Sequence, residues 1–405
     1  MTDYKTAADT TFKTTMELWK DYTNFWQLWC IADSFTDYWL RQGTPIPDAE
    51  TAPLVEKFLV RNSVPWDAKD VAKNPIWWDD YCWGAIAPQR ASQHPKTFPN
   101  HAKLFGGMAN QAWEPPYRNA PYTWARAANI DVFKPYEPAY DGGVWNYFFS
   151  EKEIPIIPHT PTTPGMQDAL GGMQNTVTNA LYWIMMARLY LAAPDAQKAG
   201  FLAQVKNEVS FMTKWFADGL MAQTKTGDVD EILIRERVGH YLNGDPVPDY
   251  KEDLFWAGDQ GLILGALIAQ IEIAGAGTAE AKQYQNWAIQ LTNGVINRMK
   301  MPDGSLAPWI PYTADEPYHG APGSDVDDYS TGIGVYMRYL LHAYQNNAAI
   351  KAHLDDPKSG YRDFVKLNAD TALKNQNNAA HKGDKAILYF ANDLAVFLMA
   401  LEMGL

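Results

Sequence analysis

The sequence predicts an all-α fold, an (α/α)6 toroid of six helical hairpins forming one domain over residues 1–405. Three observations carry this expectation. Apolar residues recur at i, i+3, i+4 and i+7 in long stretches such as GMQNTVTNALYWIMMARLYLA and DLFWAGDQGLILGALIAQIEIAG. Strand signals are sparse. Six segments open on an unusual mixture of polar and aromatic residues, and a more conventional amphipathic segment follows most of them, which reads as a weak repeat of hairpins.

The six polar–aromatic segments start near Phe25 (FWQLWCIAD), Asn74 (NPIWWDDYCW), Met166 (GMQNTVTNALY), Glu252 (EDLFWAGDQG), Val326 (DVDDYSTGIG) and Asp384 (GDKAILYFAND). The amphipathic returns fall at 49–62, 195–219, 277–300 and 358–376, for eleven or twelve helices in all. In such a toroid the inner helices run parallel, so all six begin at one end. Their polar and aromatic starts are then expected to line a single mouth, as a ligand pocket requires. Long Pro/Gly-rich connections occupy 133–165, 224–250 and 301–325, and loops of that length in a compact protein are commonly functional or disordered.

Composition narrows the function classes. Aromatic residues make up 13%, with 16 Trp and 22 Tyr. Rigid, amphipathic rings suit the apolar faces of sugars, although an aromatic-rich core accounts for most of them. A net charge of −13 without a basic stripe argues against nucleic acid as a partner. No apolar run is long enough to span a membrane. The start MTDYKTAADTTF has no leader pattern, so a cytoplasmic protein, or one whose leader was removed, is expected. Cys30 and Cys82 exclude a disulfide-rich scaffold and a cysteine-based zinc site; buried free thiols are expected, with a single bridge as the alternative. The 8 His are scattered without metal-ligand spacing, so neither a metal nor a cofactor is expected.

Three Asp–Asp pairs compete as chemistry. Asp355–Asp356 precedes PKSG and reads as a turn. Asp79–Asp80 is different. Asn74 is a good N-cap and Pro75 a good first helical residue, which puts both acids beyond the first turn, among Trp77, Trp78, Tyr81 and Trp83. Adjacent helical residues point about 100° apart, so both carboxyls can line one cavity. Retaining glycosidases hold two carboxyls about 5–5.5 Å apart, one as nucleophile and one as acid/base. A solvated acidic helix start is the plain alternative. Asp325-Val326-Asp327-Asp328 resembles the protonating DxDD motif of class II terpene cyclases, yet repeated glutamine–tryptophan motifs are absent and the context also suits a loop leading into a helix. The DGGVWN stretch at 141–146 is no phosphate loop. It reads as a tight turn, or as backbone approaching a ligand with Trp145 as a stacking wall.

Taken in order, WWDD with a Trp three residues on, DGGVWN, MQNTVTNALYWIMMARLY, GDQGLILGAL and YSTGIGVYMRYLLHAY resemble glycoside hydrolase family 76, the α-1,6-mannanases and related fungal cell-wall proteins. The resemblance runs from about Trp26 to about Leu398. It implies the same (α/α)6 fold and retaining hydrolysis of α-1,6-linked mannose chains, with Asp79 as nucleophile and Asp80 as general acid/base. It implies a sugar site built from Trp26, Trp78, Trp83, Gly142, Gly143, Trp145, Gln174, Asn175, Asn179, Asp259 and Gln260, without metal. An α-mannan poly- or oligosaccharide is then the expected partner. A monomer is expected, secreted or periplasmic with its leader removed. Departures from the family pattern are Asp141 for a glycine, Gln174 for a lysine, Asp259 for an asparagine and YSTG for an FKG-type stretch. They leave linkage, chain length and sugar open. A carbohydrate-binding protein with little hydrolysis is the runner-up. A sugar isomerase on this fold would need converging histidines.

Overall fold

The computed structural model describes residues 3–61, 78–127, 143–144, 175–217, 221–226, 228–236, 241–242, 245–246, 254–311, 329–376, 381–383 and 385–405. Among these the chain is helical with a few short strands, so the all-α class holds. The helices are α1 (Tyr4–Asp21), α2 (Phe25–Gln42), α3 (Asp48–Arg61), α4 (Trp78–Ser92), α5 (Ala102–Ala127), α6 (Thr176–Ala192), α7 (Asp195–Ala217), α8 (Ala257–Ala274), α9 (Ala279–Arg298), α10 (Gly332–Asn346), α11 (Ala348–Asp355), α12 (Tyr361–Asn375) and α13 (Ala386–Glu402). The strands form three antiparallel pairs: β1 (Met221–Thr226) with β2 (Val229–Ile234), β3 (Tyr241–Leu242) with β4 (Asp245–Pro246), and β5 (Leu254–Trp256) with β6 (Trp309–Pro311). Of the six predicted starts, Phe25 coincides with the start of α2; Asn74, Met166, Glu252, Val326 and Asp384 lie outside the described residues, and the helices that follow them, α4, α6, α8, α10 and α13, are described from Trp78, Thr176, Ala257, Gly332 and Ala386. The chain divides into two compact units, one of Met1–Gly43, Met221–Arg235 and Leu254–Leu405, the other of Thr44–Leu220 and Glu236–Asp253.

In the first unit, burial separates two kinds of helix. The outer type buries one stripe: in α1 it is Tyr4, Ala8, Phe12, Met16 and Trp19, at helical spacing. The inner type is buried nearly all round, as α8 is from Ala257 to Leu267, and such a helix belongs at the centre of a core. The packing follows that division: α8 lies against α9 and α10, α10 against α13, and α13 against α1, α2 and α12.

Glycines set the closest approach. A Cβ at Gly261 would stand 2.7 Å from the Tyr336 Cα, and one at Gly265 would stand 2.3 Å from the Tyr339 ring, so the α8–α10 seam admits only hydrogen at both. The helix starts are tied together as well. The Trp256 indole donates to the Tyr329 carbonyl (2.9 Å), linking the start of α8 to that of α10.

Buried amides on several helices grip neighbouring main chain. The Gln260 carbonyl accepts from Ile234 N–H (2.9 Å), while its NH2 donates to the carbonyls of Ile234 (2.7 Å) and Trp256 (3.0 Å). Asn368 accepts from Leu306 N–H (2.9 Å) and donates to the Phe364 carbonyl (2.8 Å). Asn392 accepts from Gly334 N–H (2.8 Å) and donates to the Ser330 carbonyl (2.7 Å), fixing the first turn of α10. Deeper still, Arg338 on α10 forms an ion pair with Asp33 on α2 at 3.3 Å, both almost wholly buried, and donates to the Cys30 carbonyl (2.6 Å) and Ser34 Oγ (3.1 Å).

In the second unit, α4 lies against α5 and α6, α6 against α7, and α3 against α5. α4 is buried from Tyr81 to Ala91 and α6 from Thr176 to Ala187, so these two are the inner helices here. Both cysteines are free and buried, Cys30 on α2 and Cys82 on α4, which decides for the free-thiol reading.

Candidate active site

The acid pair stands at the start of α4. The helix is described from Trp78, and Asp79 and Asp80 occupy its first turn, not a later one. The expected cap, Asn74 and Pro75, lies outside the described residues. A helix N-terminus favours negative charge, so the position suits carboxylates electrostatically. Asp79 accepts the Asp80 backbone N–H at 3.0 Å, which ties one of its oxygens to the main chain of the helix start. Both side chains are half-buried, whereas Trp78 and Trp83 are 1% and 2% exposed. These two indoles are therefore packed into the core rather than offering open faces; Trp78 packs against Tyr81 with ring centres 5.4 Å apart.

The acids mark their surroundings. Burial, and then the charge of Asp80, pushes the Tyr81 phenol upward. Burial raises the Cys82 thiol well above its usual value, and Asp79, Glu208 and Asp80 add to that rise. Glu208, on α7, is not among the residues the sequence singles out. It is fully buried, its Oε2 has no hydrogen-bond partner among the described residues, and burial raises its carboxyl well above the ordinary glutamate range.

The glycine-rich stretch is described only at Gly143 and Val144; Asp141, Gly142, Trp145 and Gln174 lie outside the described residues. Gly143 has φ +71°, in the left-handed region that favours glycine. A Cβ there would stand 2.6 Å from Asn179 Oδ1 and 2.8 Å from the Phe211 ring, so its close approach is to α6 and α7. Asn179 accepts Val144 N–H (2.8 Å) and donates to the carbonyls of Val144 (3.1 Å) and Asn175 (2.8 Å). Asn175 is the N-cap of α6, accepting Thr178 N–H at 3.3 Å.

These contacts revise the expected sugar contacts. Asn179 and Gln260 are fully buried, and each spends both amide protons on main-chain carbonyls, leaving no donor for a sugar hydroxyl. Asn175 is committed to its cap. Within the second unit, Asp79, Asp80, Trp78 and Trp83 share α4, which packs on the α6 that carries Asn179 and is capped by Asn175. Trp26 and Asp259 belong to the first unit, Trp26 half-buried in the first turn of α2 and Asp259 wholly buried in the first turn of α8. The DxDD stretch at 325–328 lies outside the described residues. Among the described residues no cluster of His, Cys, Asp and Glu could hold a metal, and no helix is long and apolar enough to cross a membrane.

In fold, this chain is similar to a family 76 α-mannanase from Bacteroides thetaiotaomicron, solved as its selenomethionine derivative, with TM-score 0.55 and 11% identity over 99% of this chain and 96% of that one. A family 76 glycoside hydrolase from a bovine strain of the same species aligns with TM-score 0.44 and 14% identity over 82% of this chain and 56% of that one. No protein-family model matches the sequence, and no curated protein matches it.

Proposed function

We propose that the protein is a retaining glycoside hydrolase acting on α-1,6-linked mannose chains. The observation that carries this is the adjacent Asp79–Asp80 pair, half-buried in the first turn of α4 beside Trp78 and Trp83. The likeness in fold to a family 76 α-mannanase gives the pair a context. In the first step Asp79 attacks the anomeric carbon while protonated Asp80 gives its proton to the departing glycosidic oxygen. In the second, Asp80 takes a proton from water, which displaces Asp79 and restores the original anomeric configuration. An α-mannan poly- or oligosaccharide is the partner, outside the producing cell, and the protein acts as a monomer.

The test is a screen of α-mannans of defined linkage, with products resolved by chromatography. Asp79→Asn and Asp80→Asn should keep the fold and each lose at least about a hundredfold in turnover, the low end for an acid/base group. Wild-type turnover of α-1,6-mannan by both variants would falsify the assignment. A carbohydrate-binding role is the second reading, favoured by the Gln174 and Asp259 departures. Calorimetric binding with no released reducing sugar would select it.

A further inference from the structure

Within the first unit, α2, α10 and α13 line a cavity of about 210 Å³. Its wall is mixed. Ile31, Val335 and Ala391 are apolar, whereas Ser34, Thr331 and Arg338 bring polar side chains, each more than nine-tenths buried. Arg338 has more donors here than acceptors to receive them. A guanidinium carries five N–H groups. Those on Nη1 go to the Cys30 carbonyl (2.6 Å) and Ser34 Oγ (3.1 Å). Nε stands 3.3 Å from the Asp33 carboxylate but out of line for a hydrogen bond. Among the described residues Nη2 reaches only the Cys30 sulfur, at 3.8 Å, and a thiol sulfur is a weak acceptor. Asn392, the amide on the same wall, is already engaged: its carbonyl accepts Gly334 N–H and its NH2 donates to the Ser330 carbonyl. A charged donor left without an acceptor in the core is costly, so the cavity is where Nη2 finds one.

Charge and size select the occupant. Arg338 is paired with Asp33, and Asp37 lies one turn further along α2, so the wall holds no excess positive charge for an anion. A neutral acceptor fits better. Water takes up about 30 Å³ in the liquid, so even part of the cavity admits one molecule. Ser34 Oγ accepts from Arg338 and keeps its own proton to donate. With Thr331 on the same wall, three polar side chains meet the two to four partners a buried water requires. We infer that this cavity is an internal hydration site, in which a water accepts from Arg338 Nη2 and joins α10 to Ser34 of α2. Such a site belongs to the framework of the first unit and is independent of any sugar chemistry.

The test joins a high-resolution crystal structure of the full chain to magnetic relaxation dispersion of water, which counts long-lived internal waters in solution. Density about 2.7–3.2 Å from Arg338 Nη2 that belongs to no residue is expected. The paired variant Arg338→Met with Asp33→Leu removes the donor and its counter-charge together, so the count of long-lived waters should fall by at least one. Ala391→Val serves if the paired variant does not fold. It adds methyl groups to the cavity wall and should lose the same water. No density beside Nη2 overturns the site, and so does an unchanged count in a folded variant. Bromide soaked into the crystal supplies the remaining arm: an anomalous peak beside Nη2 would mark an anion site and overturn the neutral occupant.

Discussion

Glu208→Gln should make the protein more stable at neutral pH and leave it unchanged in acid. Glu208 is fully buried, receives a single bond of 3.4 Å from Asn207, and has an Oε2 without a hydrogen-bond partner among the described residues. Burial holds its carboxyl well above the ordinary 4.5, so the folded state keeps a proton that the unfolded chain gives up near that value. Above that pH the folded state binds more protons than the unfolded, and stability falls as pH rises, until the folded carboxyl itself ionises. The slope is at most about 1.4 kcal/mol per pH unit. Glutamine keeps the shape and the acceptor for Asn207 but has nothing to titrate. Asp393, raised by burial to about 6 and paired with His381 at 2.8 Å, adds its own slope below about that pH. That contribution is common to both proteins and cancels in the difference. Urea midpoints measured at intervals from about pH 4.5 to 8 should converge at the acid end and diverge steadily above it, with the variant the more stable. Parallel curves across the range would refute the claim that Glu208 is held neutral.

The glycine seam makes a paired prediction. Gly261→Ala should destabilise by about 1–3 kcal/mol, because the new methyl meets the Tyr336 main chain and neither helix can yield. Gly107→Ala, inside α5 with nothing within 4 Å, should stabilise by about 0.5–1 kcal/mol; thermal unfolding of the two variants checks both signs. Arg338→Met strips the buried Asp33 of its ion pair and should cost about 3–5 kcal/mol in urea unfolding. Adding Asp33→Leu should recover most of that loss, and no recovery would argue against the pair as its source.

Much of the architecture is legible in the sequence. The inner helices announce themselves because residues such as Ala180–Ala187 or Leu262–Leu267 are apolar on every side, which only a central helix can be. The acid pair is legible for the same reason, as charge set among indoles. The helix boundary is less so: the sequence places Asp79 and Asp80 beyond the first turn, and they stand in it. Asn179 and Gln260 are found by family likeness, but a motif records that an amide is needed without saying what it grips. Here the grip is on main chain, visible only once Val144 and Ile234 are brought alongside.

Glu208 does carry a signal in the sequence. Phe201, Val205, Glu208 and Met212 fall at spacings of 4, 3 and 4 along α7, so the acid occupies the apolar stripe. Asn207 itself gives no signal, since its partner is a peptide carbonyl from a distant part of the chain.

The amide grips also bear on how far such a chain can drift. A bond between two side chains is lost when either residue changes. Asn179, Gln260, Asn368 and Asn392 bind peptide groups, and every residue supplies one, proline lacking only the donor. Val144, Ile234, Leu306 and Ser330 can therefore be replaced without removing the atom being held. A framework fastened in this way needs few fixed identities, which fits a chain that keeps the fold of an α-mannanase at 11% identity.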